Sequence, residues 1–301
     1  MKEEFLIRSP EAAVEAGVIS PSAELPRHRR AASNPLPGLN LTLGFTVFYL
    51  TIIVLLPLAA LFLRAAHLSW TQLWELATNE RAVAAYEMSL GASLAAALIN
   101  AVFGSLLAWV LVRYRFPGRR LLDGLIDFPF ALPTAVAGLT LANLFSEHGW
   151  LGQFLTPLGI HGAFSRLGVI IALTFVGLPF AVRTLQPVLL NLDREVEEAA
   201  SCLGASRFRT FVSVIAPTLF PTVLTGFGLS FARALGEYGS VKFISGNLPR
   251  TEIAPVLMVL RLDQYDYTGA IAVALVLMLF SFALLFALNW VQGWASKFQQ
   301  P

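Results

Sequence analysis

The sequence has little charge for its length. Only 13% of its 301 residues are Asp, Glu, Lys or Arg, whereas 56% are hydrophobic. Soluble domains carry about 25% charged residues. This chain has too few charged residues to cover the surface of a soluble protein, so its composition argues against one. The formal net charge of +2 is also too small to indicate a nucleic-acid partner. These absences leave an integral membrane protein.

Residue types that commonly build catalytic or metal sites are scarce as well. The single cysteine, Cys202, excludes an intramolecular disulfide and a cysteine-based metal cluster. The four histidines are scattered outside the apolar stretches, so a metal site is not expected. The loop G-x-x-x-x-G-K-[ST], which cradles nucleotide phosphates, does not occur in the sequence. Since the middle of each apolar stretch holds no ionisable residue, we expect neither an enzyme nor a secondary transporter.

Six stretches are apolar and long enough to cross a bilayer, which takes about 20 residues of helix. None of them alternates with a period of two, which disfavours a β-barrel. The predicted fold is therefore an all-α integral membrane protein with six transmembrane helices within residues 41–296, preceded by a disordered tail at 1–40. The six stretches are Leu41–Leu63, Met88–Val112, Ile126–Phe145, Leu167–Leu185, Pro217–Leu235 and Thr268–Val291.

Lysine and arginine are distributed unevenly among the connections between these stretches. Fourteen of the 21 fall on the side of the two termini, and seven fall on the other side. Because cytoplasmic connections carry the excess of basic residues, we predict that both the N-terminus and the C-terminus are cytoplasmic. Met1–Asn40 contains no apolar run, so we do not expect a signal peptide there.

On this topology the long connection Gln186–Ala216 lies in the cytoplasm and predicts two short helices. Asp193 is a suitable N-cap for the first helix, which has acidic residues in its first turn, where the helix dipole favours negative charge. Gly204 ends or bends this helix, and Ser206 can start the next one, whose apolar face leads towards Pro217. Such a segment is either a plain re-entry elbow or a knob presented to another protein.

The spacing within this connection resembles the EAA loop of bacterial ABC importer permeases. A Glu-Ala-Ala triplet is followed by a glycine six residues after the glutamate and by a proline thirteen residues further on. The resemblance implies a coupling loop at about 190–216, against which a separate ATPase subunit docks. The family has isoleucine and leucine shortly before the proline, where this chain has Val214 and Ala216. The residues implied in ATPase coupling are Glu198, Ala199, Ala200, Gly204 and Pro217.

Further segments are similar to the sulfate/thiosulfate permease family, and specifically to its T-type subunit. The resemblance runs from about Pro37 to Trp294. Molybdate permeases share the EAA loop and part of the segment at Ser230–Asn247. A permease for molybdate or tungstate is therefore the alternative. The segments are RYRFPGRRLLD at Arg113–Asp123, DFPFALPTAVAGLTLA at Asp127–Ala142, SFARALGEYGSVKFISGN at Ser230–Asn247 and RTLQPVL at Arg183–Leu189.

The resemblance implies a fold, a location and a set of partners. The fold is that of type I ABC importer permeases, and the location is the inner (plasma) membrane of a bacterial cell, crossed several times. The implied partners are a second permease subunit in a heterodimer, two ATPase subunits that hydrolyse ATP with Mg, and an external sulfate-binding protein. This chain itself is expected to bind no cofactor. A stand-alone secondary anion transporter and a non-transporting scaffold are the other hypotheses, and neither explains the EAA loop.

Small and polar residues form a stripe along the stretch Pro217–Leu235. Thr222, Gly226, Ser230 and Arg233 are spaced by four, four and three residues, and Glu237 follows four residues later, so all five share one helical face. The stripe is either a surface for helix packing, with the last two residues forming an ion pair, or the wall of an anion path. In the second case Arg233 is a cation near the outer mouth.

Two prolines interrupt the stretch Ile126–Phe145. Pro129 and Pro133 each remove a backbone donor and push against the preceding turn, which predicts a kink. The kink leaves Thr134 and freed carbonyl groups at depth, and it serves either as a packed kink or as a flexible gate. The candidate translocation path is therefore formed by Thr134, Thr222, Gly226, Ser230 and Arg233.

Overall fold

The computed structural model describes residues 39–297, and every regular element within this part is a helix. The predicted all-α fold is therefore confirmed for the described residues. The expected disordered tail at 1–40 lies outside them, except for its last two positions, which already belong to the first helix. Within the described residues, the contacts divide the chain into two units, one ending at Pro57 and the other beginning at Leu58.

Helices follow one another with short connections, and turns of π or 3₁₀ geometry continue several of them. The helices are α1 (Leu39–Leu50), α2 (Leu56–Ala66), α3 (Trp70–Ala77), α4 (Glu80–Ile99), α5 (Ser105–Arg113), α6 (Arg119–Ile126), α7 (Phe128–Ala131), α8 (Thr134–Phe145), α9 (Gly152–Leu155), α10 (Arg166–Asn191), α11 (Arg194–Cys202), α12 (Arg207–Thr210), α13 (Ala216–Leu235), α14 (Gly239–Ile244), α15 (Ala254–Asp263) and α16 (Tyr267–Lys297). The π-turns are Thr51–Leu55, Asn100–Gly104 and Phe211–Ile215, and the 3₁₀ turn is Thr156–Leu158.

Five helical stretches of the described chain are long and apolar enough to cross a membrane. They correspond to five of the six predicted spans. The predicted and observed ends differ most at the span predicted to start at Pro217, since the observed helical stretch already begins at Arg207. The sixth predicted span is represented by the shorter apolar helix α8. The five stretches are Leu41–Ala66, Glu80–Arg113, Arg166–Asn191, Arg207–Leu235 and Tyr267–Trp290.

The predicted span Ile126–Phe145 is broken rather than kinked. Leu132 is extended, with ψ 134°, because the ring of a following proline disfavours the helical conformation. Pro133 then precedes the first residue of α8. Pro129 produces no kink, since it lies in the first turn of α7, where a helix has no partner for the missing N–H anyway. The chain therefore makes two short helices and a 12-residue helix here.

Helix α10 is the most deeply packed of the five long stretches. Half of its most apolar window is buried, a larger share than in the other four. Small residues let its neighbours approach closely, as is common between membrane helices. A Cβ atom added at Gly226 of α13 would lie 3.2 Å from the Cα of Ala181, and one added at Gly104 would lie 2.9 Å from the Cβ of Ala181. Helix α10 thus fixes the positions of α5 and α13.

Two apolar clusters hold this arrangement at the two ends of α10. One joins the beginning of α10 to α4, α13 and α14, with Leu173 and Val169 fully buried. The other joins the end of α10 to α5, α6 and α13 through buried aliphatic side chains, among them Leu111, Leu185 and Ile215. The second cluster lies at the end from which α11 and α12 extend, so it forms the base of the predicted coupling loop.

Candidate coupling segment and anion route

The segment after α10 begins with a capped helix, in agreement with its sequence. Asp193 is extended, and its side-chain Oδ1 accepts a hydrogen bond from the backbone N–H of Glu195 at 3.2 Å. The nine residues of α11 follow, with Glu195 and Glu197 in the first turn. Acidic side chains are favourable there because the helix dipole is positive at its N-terminus. Local sequence therefore accounts for where α11 starts.

Helix α11 ends in a Schellman motif centred on Gly204. The glycine has φ +79°, in the left-handed region. Its N–H donates to the carbonyl of Ser201, and the N–H of Ala205 donates to the carbonyl of Ala200, both at 3.0 Å. These two bonds satisfy carbonyl groups that the helix itself leaves free. The position needs glycine because of its conformation and not because of crowding, since an added Cβ would meet nothing within 4 Å.

Most of α11 is open to solvent. Glu198 and Ala199 are exposed, and Ala200 is half-buried. Leu203, just before the glycine turn, has 89% of its surface exposed. A single exposed apolar side chain is ordinary on a protein surface, so Leu203 by itself does not mark a binding site.

The chain re-enters the helical bundle through α12, a π-turn and α13. Ser206 caps α12, and its Oγ accepts a hydrogen bond from the N–H of Arg209 at 3.3 Å. The exposed Pro217 lies just after the π-turn. A proline has no N–H for the helix ladder and its ring crowds the carbonyl four residues earlier. The carbonyl four residues before Pro217 belongs to the π-turn, which ends at Ile215. The wider turn accommodates both the missing hydrogen bond and the proline ring.

Arg183 of α10 anchors the helices α6 and α7 at the same end of the molecule. Its Nε and Nη2 donate to the two carboxylate oxygens of Asp127 at 2.8 and 2.6 Å. Its Nη1 donates to the Oδ1 of Asp123 at 2.7 Å, and to the Oε1 of Gln186 at 2.5 Å. Such a planar, bidentate arrangement is specific to arginine. Sequence alone did not predict this network, because Arg183 lies 56 and 60 positions away from the two aspartates.

The network also changes the acidity of Asp123. Its Oδ1 accepts a hydrogen bond from the Nε2 of Gln186 at 3.0 Å, in addition to the bond from Arg183. Hydrogen bonds and positive charge favour the ionised carboxylate. The pKa of Asp123 is therefore lowered from its ordinary value, first by the bond from Gln186 and then by Arg183.

Two members of the predicted polar stripe lie in the contact between α13 and α10. Gly226 packs on Ala181, and Ser230 is fully buried. The Nδ2 of Asn100, on the π-turn after α4, donates to the Oγ of Ser230 at 2.9 Å and to the carbonyl of Thr174 at 3.1 Å. Within this single chain, these two positions therefore match the alternative of helix packing.

Arg233 lies at the other end of the stripe and forms the expected ion pair. Its Nη1 is 2.6 Å from the Oε2 of Glu237, whose side chain is only 2% exposed, whereas that of Arg233 is 32% exposed. The Oε1 of Glu237 accepts two further hydrogen bonds, from the N–H and the hydroxyl of Ser240, at 2.9 and 3.0 Å. The carboxylate is therefore fixed, while part of the guanidinium group is accessible.

The break before α8 meets a second break in the chain, between α13 and α14. A Cβ atom added at Gly239 would lie 2.2 Å from the Oγ1 of Thr134. One turn further along α8, a Cβ atom added at Gly138 would lie 2.2 Å from the carbonyl oxygen of Ser240. The two glycines therefore let α8 and α14 run in backbone contact. Thr134, which is half-buried, lies where the two interrupted helices meet.

Thr222, the first residue of the stripe, lines a separate cavity of about 560 Å³. This cavity lies between α10, α13 and α16, and hydroxyl and amide groups contribute to its wall. Its polar side chains are Thr184, Thr222, Thr225 and Asn289.

Comparison with known proteins identifies the class to which this architecture belongs. The family model described as "Binding-protein-dependent transport system inner membrane component" matches residues 100–298. This range contains the coupling segment, the polar stripe and both interrupted helices. The chain belongs to this family of inner membrane transport components.

Individual relatives are more specific. The chain is 54% identical over 264 residues to the "Sulfate transport system permease protein CysT" of Synechococcus elongatus, which covers 87% of this chain and 95% of the relative. It is 49% identical over 259 residues to the protein of the same name from Escherichia coli K12, covering 86% of this chain and 94% of that one.

Two solved structures share the fold. A chain of a bacterial alginate ABC transporter, in complex with an alginate-bound periplasmic protein, has a TM-score of 0.69 at 16% identity and covers 83% of this chain and 92% of its own. A chain of the MetNI methionine ABC transporter, in an inward-facing conformation, has a TM-score of 0.55 at 17% identity and covers 76% and 99%. The fold is thus that of ABC importer permeases.

Proposed function

We propose that this chain is the permease subunit of an ATP-driven importer of sulfate, with thiosulfate as a second substrate. The observation that carries the proposal is the 54% identity over 87% of the chain to a sulfate transport permease protein. The match covers nearly the whole relative, so it includes the helices that surround the route as well as the coupling segment. The chain is a transport subunit, and ATP hydrolysis, which needs Mg, belongs to a separate subunit.

The proposed assembly has this chain in a heterodimer with a second permease subunit, with two ATPase subunits and an external sulfate-binding protein. Both termini and α11 lie on the cytoplasmic side in this proposal. The placement is supported by the arginines near α11, because basic residues concentrate on the cytoplasmic side of membrane proteins. Those in the two connections that meet there are Arg113, Arg115, Arg119, Arg120, Arg207 and Arg209.

In this assembly, α11 is the element that the ATPase pushes and pulls. Glu198 offers a negative charge, and the small side chains of Ala199 and Ala200 let a partner approach the helix closely. Gly204 keeps the tip in its turned conformation, and Pro217 marks where the segment joins α13. A short helix with capped ends moves as a unit, which is what transmission of a domain movement requires.

The proposed anion route passes the place where α8, α13 and α14 meet. Thr134 and Arg233 are its accessible members, and they offer a hydroxyl group and a guanidinium group to an oxyanion. Gly226 and Ser230 contribute by holding α13 against α10. Thr222 lines the polar cavity between α10, α13 and α16. Non-helical backbone at membrane depth is tolerated where it lines a cavity or is buried in protein, which fits the two breaks.

Transport by the reconstituted assembly tests the proposal. The permease is purified with its partner subunits, placed in vesicles with ATP inside, and supplied with the external binding protein and labelled sulfate. ATP-dependent uptake of sulfate, with competition by thiosulfate and weak competition by molybdate, is the expected result. Preferred uptake of molybdate contradicts the substrate, and uptake by this chain without an ATPase contradicts the class of transporter.

A pair of substitutions tests the role of Arg233 in the route. Arg233→Gln removes the accessible positive charge, so uptake and its dependence on ionic strength should both decrease while the assembly remains intact. Glu237→Gln is the matched comparison, because it weakens the ion pair but keeps the cation. If Arg233 serves only that pair, both variants should lose the same amount of thermal stability. The Arg233→Gln assembly that remains folded should then transport sulfate normally.

A further inference from the structure

Helix α11 is weakly packed against the spans that it is proposed to move. None of its residues with a described side chain is buried. A cavity of about 1110 Å³ separates it from α5 and α13, with Trp109 and Leu106 on one wall and Glu197 and Cys202 on the other. An apolar contact that would carry a displacement of α11 directly into these helices is therefore missing at this place.

An ion pair crosses this gap. The Nη2 of Arg113, the last residue of α5, donates to the Oε1 of Glu197 at 2.6 Å. The side chain of Arg113 is only 10% exposed and that of Glu197 is 31% exposed. The glutamate next to it, Glu198, is more exposed, although it also lines the cavity. The two neighbouring glutamates therefore differ in their contacts, because Glu197 is the one that forms the ion pair with α5.

The arginine is held in place by an aromatic side chain. Its guanidinium carbon lies 5.3 Å from the ring centroid of Trp109, one turn earlier on α5. Trp109 in turn makes an edge-to-face contact with Phe211, with 5.9 Å between ring centroids. A guanidinium group that stacks on an aromatic ring loses rotational freedom, so it presents its N–H groups in a fixed direction.

These contacts form a continuous series from α11 to the walls of the route. The series runs from Glu197 through Arg113 and Trp109 to Phe211 on the π-turn, and α13 with Arg233 follows that turn. A displacement of α11 reaches α13 along the backbone through α12, and it reaches the end of α5 through the ion pair. Without the pair, α11 can shift while α5 stays in place.

We propose that Arg113 is a positioning residue for energy coupling, which makes α5 follow the movement of α11 through its pair with Glu197. The inference rests on the coupling role proposed for α11 above. It assigns a task to a residue outside the coupling loop, and it gives Glu197 a different task from Glu198. Loss of the pair should leave the ATPase bound and active but should reduce the sulfate transported for each ATP hydrolysed.

A double-mutant cycle on the complete assembly tests this proposal. The unaltered complex is compared with Arg113→Gln, Glu197→Gln and the double variant, and three quantities are measured: co-purified ATPase, ATP hydrolysis and sulfate uptake. Each single variant should lower the ratio of uptake to hydrolysis by about fivefold or more, as expected for a coupling free energy between sites. The double variant should be no worse than the worse single variant, because both remove the same contact.

The control is Arg115→Gln, which removes a positive charge from an exposed arginine two residues away. It should keep the ratio of the unaltered complex, and Arg113→Lys, which keeps the charge, should recover part of it. Additive losses in the double variant, or an unchanged ratio with lower thermal stability, overturn the proposal. An unaltered complex that fails to bind ATPase or to transport sulfate refutes the proposed function instead, so the two failures are distinguishable.

Discussion

The contact between α8 and α14 allows a sharp test of how tightly the helices around the proposed route are packed. In Gly138→Ala, the new Cβ would lie 2.2 Å from the carbonyl oxygen of Ser240, and 2.6 and 2.7 Å from its Cα and carbonyl carbon. Real Cβ atoms essentially never approach closer than 3.0 Å. The two helices must therefore separate by about 0.8 Å or more at this point, since a methyl group cannot rotate out of the way.

The neighbouring backbone has little freedom to yield. Ser240 is fully buried, and its N–H and hydroxyl both donate to the buried carboxylate of Glu237. Overpacking of this kind costs about 1–3 kcal/mol and occasionally more. Alanine is favoured over glycine within a helix by about 1 kcal/mol, which offsets part of the cost. Because the clash is with backbone atoms, the upper end of that range, about 3 kcal/mol, applies. After the gain of about 1 kcal/mol is subtracted, we expect Gly138→Ala to lower the free energy of unfolding by about 2 kcal/mol.

The matched control is Gly91→Ala on α4. A Cβ atom there would meet nothing within 4 Å, so only the gain in helix propensity of up to about 1 kcal/mol applies. Thermal unfolding of the purified assembly in detergent measures both variants, and sulfate uptake is measured in parallel. Gly138→Ala should unfold at a lower temperature and transport less, while Gly91→Ala should do neither. Equal stability of the two variants would falsify the argument that α8 and α14 are in backbone contact.

Two further predictions concern the coupling end. Gly204→Ala places a Cβ in the left-handed region, which costs about 1–2 kcal/mol. We therefore expect less ATPase to co-purify with this variant. Normal co-purification would show that the turn is not needed for docking. The pKa of Asp123 is lowered in the folded protein. Its bonds to Arg183 and Gln186 therefore stabilise α6 at any pH above the ordinary pKa of about 3.9. This stabilisation is lost as the pH falls through the lowered pKa of the folded protein. Limited proteolysis near α6 should therefore increase below about pH 4, and Asp123→Asn should abolish this dependence.

The helices and the turn of the proposed coupling segment were predictable from sequence because their determinants are local. Asp193, Gly204 and Ser206 act within a few residues of their own positions, through a side-chain cap or a backbone conformation. Five of the six apolar stretches were predictable for a similar reason, since length and composition alone decide whether a helix can span a bilayer.

The remaining features depend on contacts between distant residues. Pro133 signals an irregularity, but whether it becomes a kink or a break depends on α14, which packs against the new helix. Ser230 lies on a polar stripe in the sequence, and only the positions of Asn100 and α10 show that it is buried. The ion pair of Arg113 joins residues 84 positions apart, and single-sequence patterns do not encode such pairs.

The π-turn at Phe211–Ile215 has a consequence for orientation. A π-turn accommodates one more residue than the α-helical turn it replaces, and each residue of an α-helix advances the direction of the side chains by about 100°. Everything before the turn is therefore rotated by about that angle relative to α13, compared with an uninterrupted helix. The π-turn sets the angular phase between the surface proposed to bind the ATPase and the surface proposed to face the anion. Removing one residue there should therefore misalign the two surfaces without unfolding either helix.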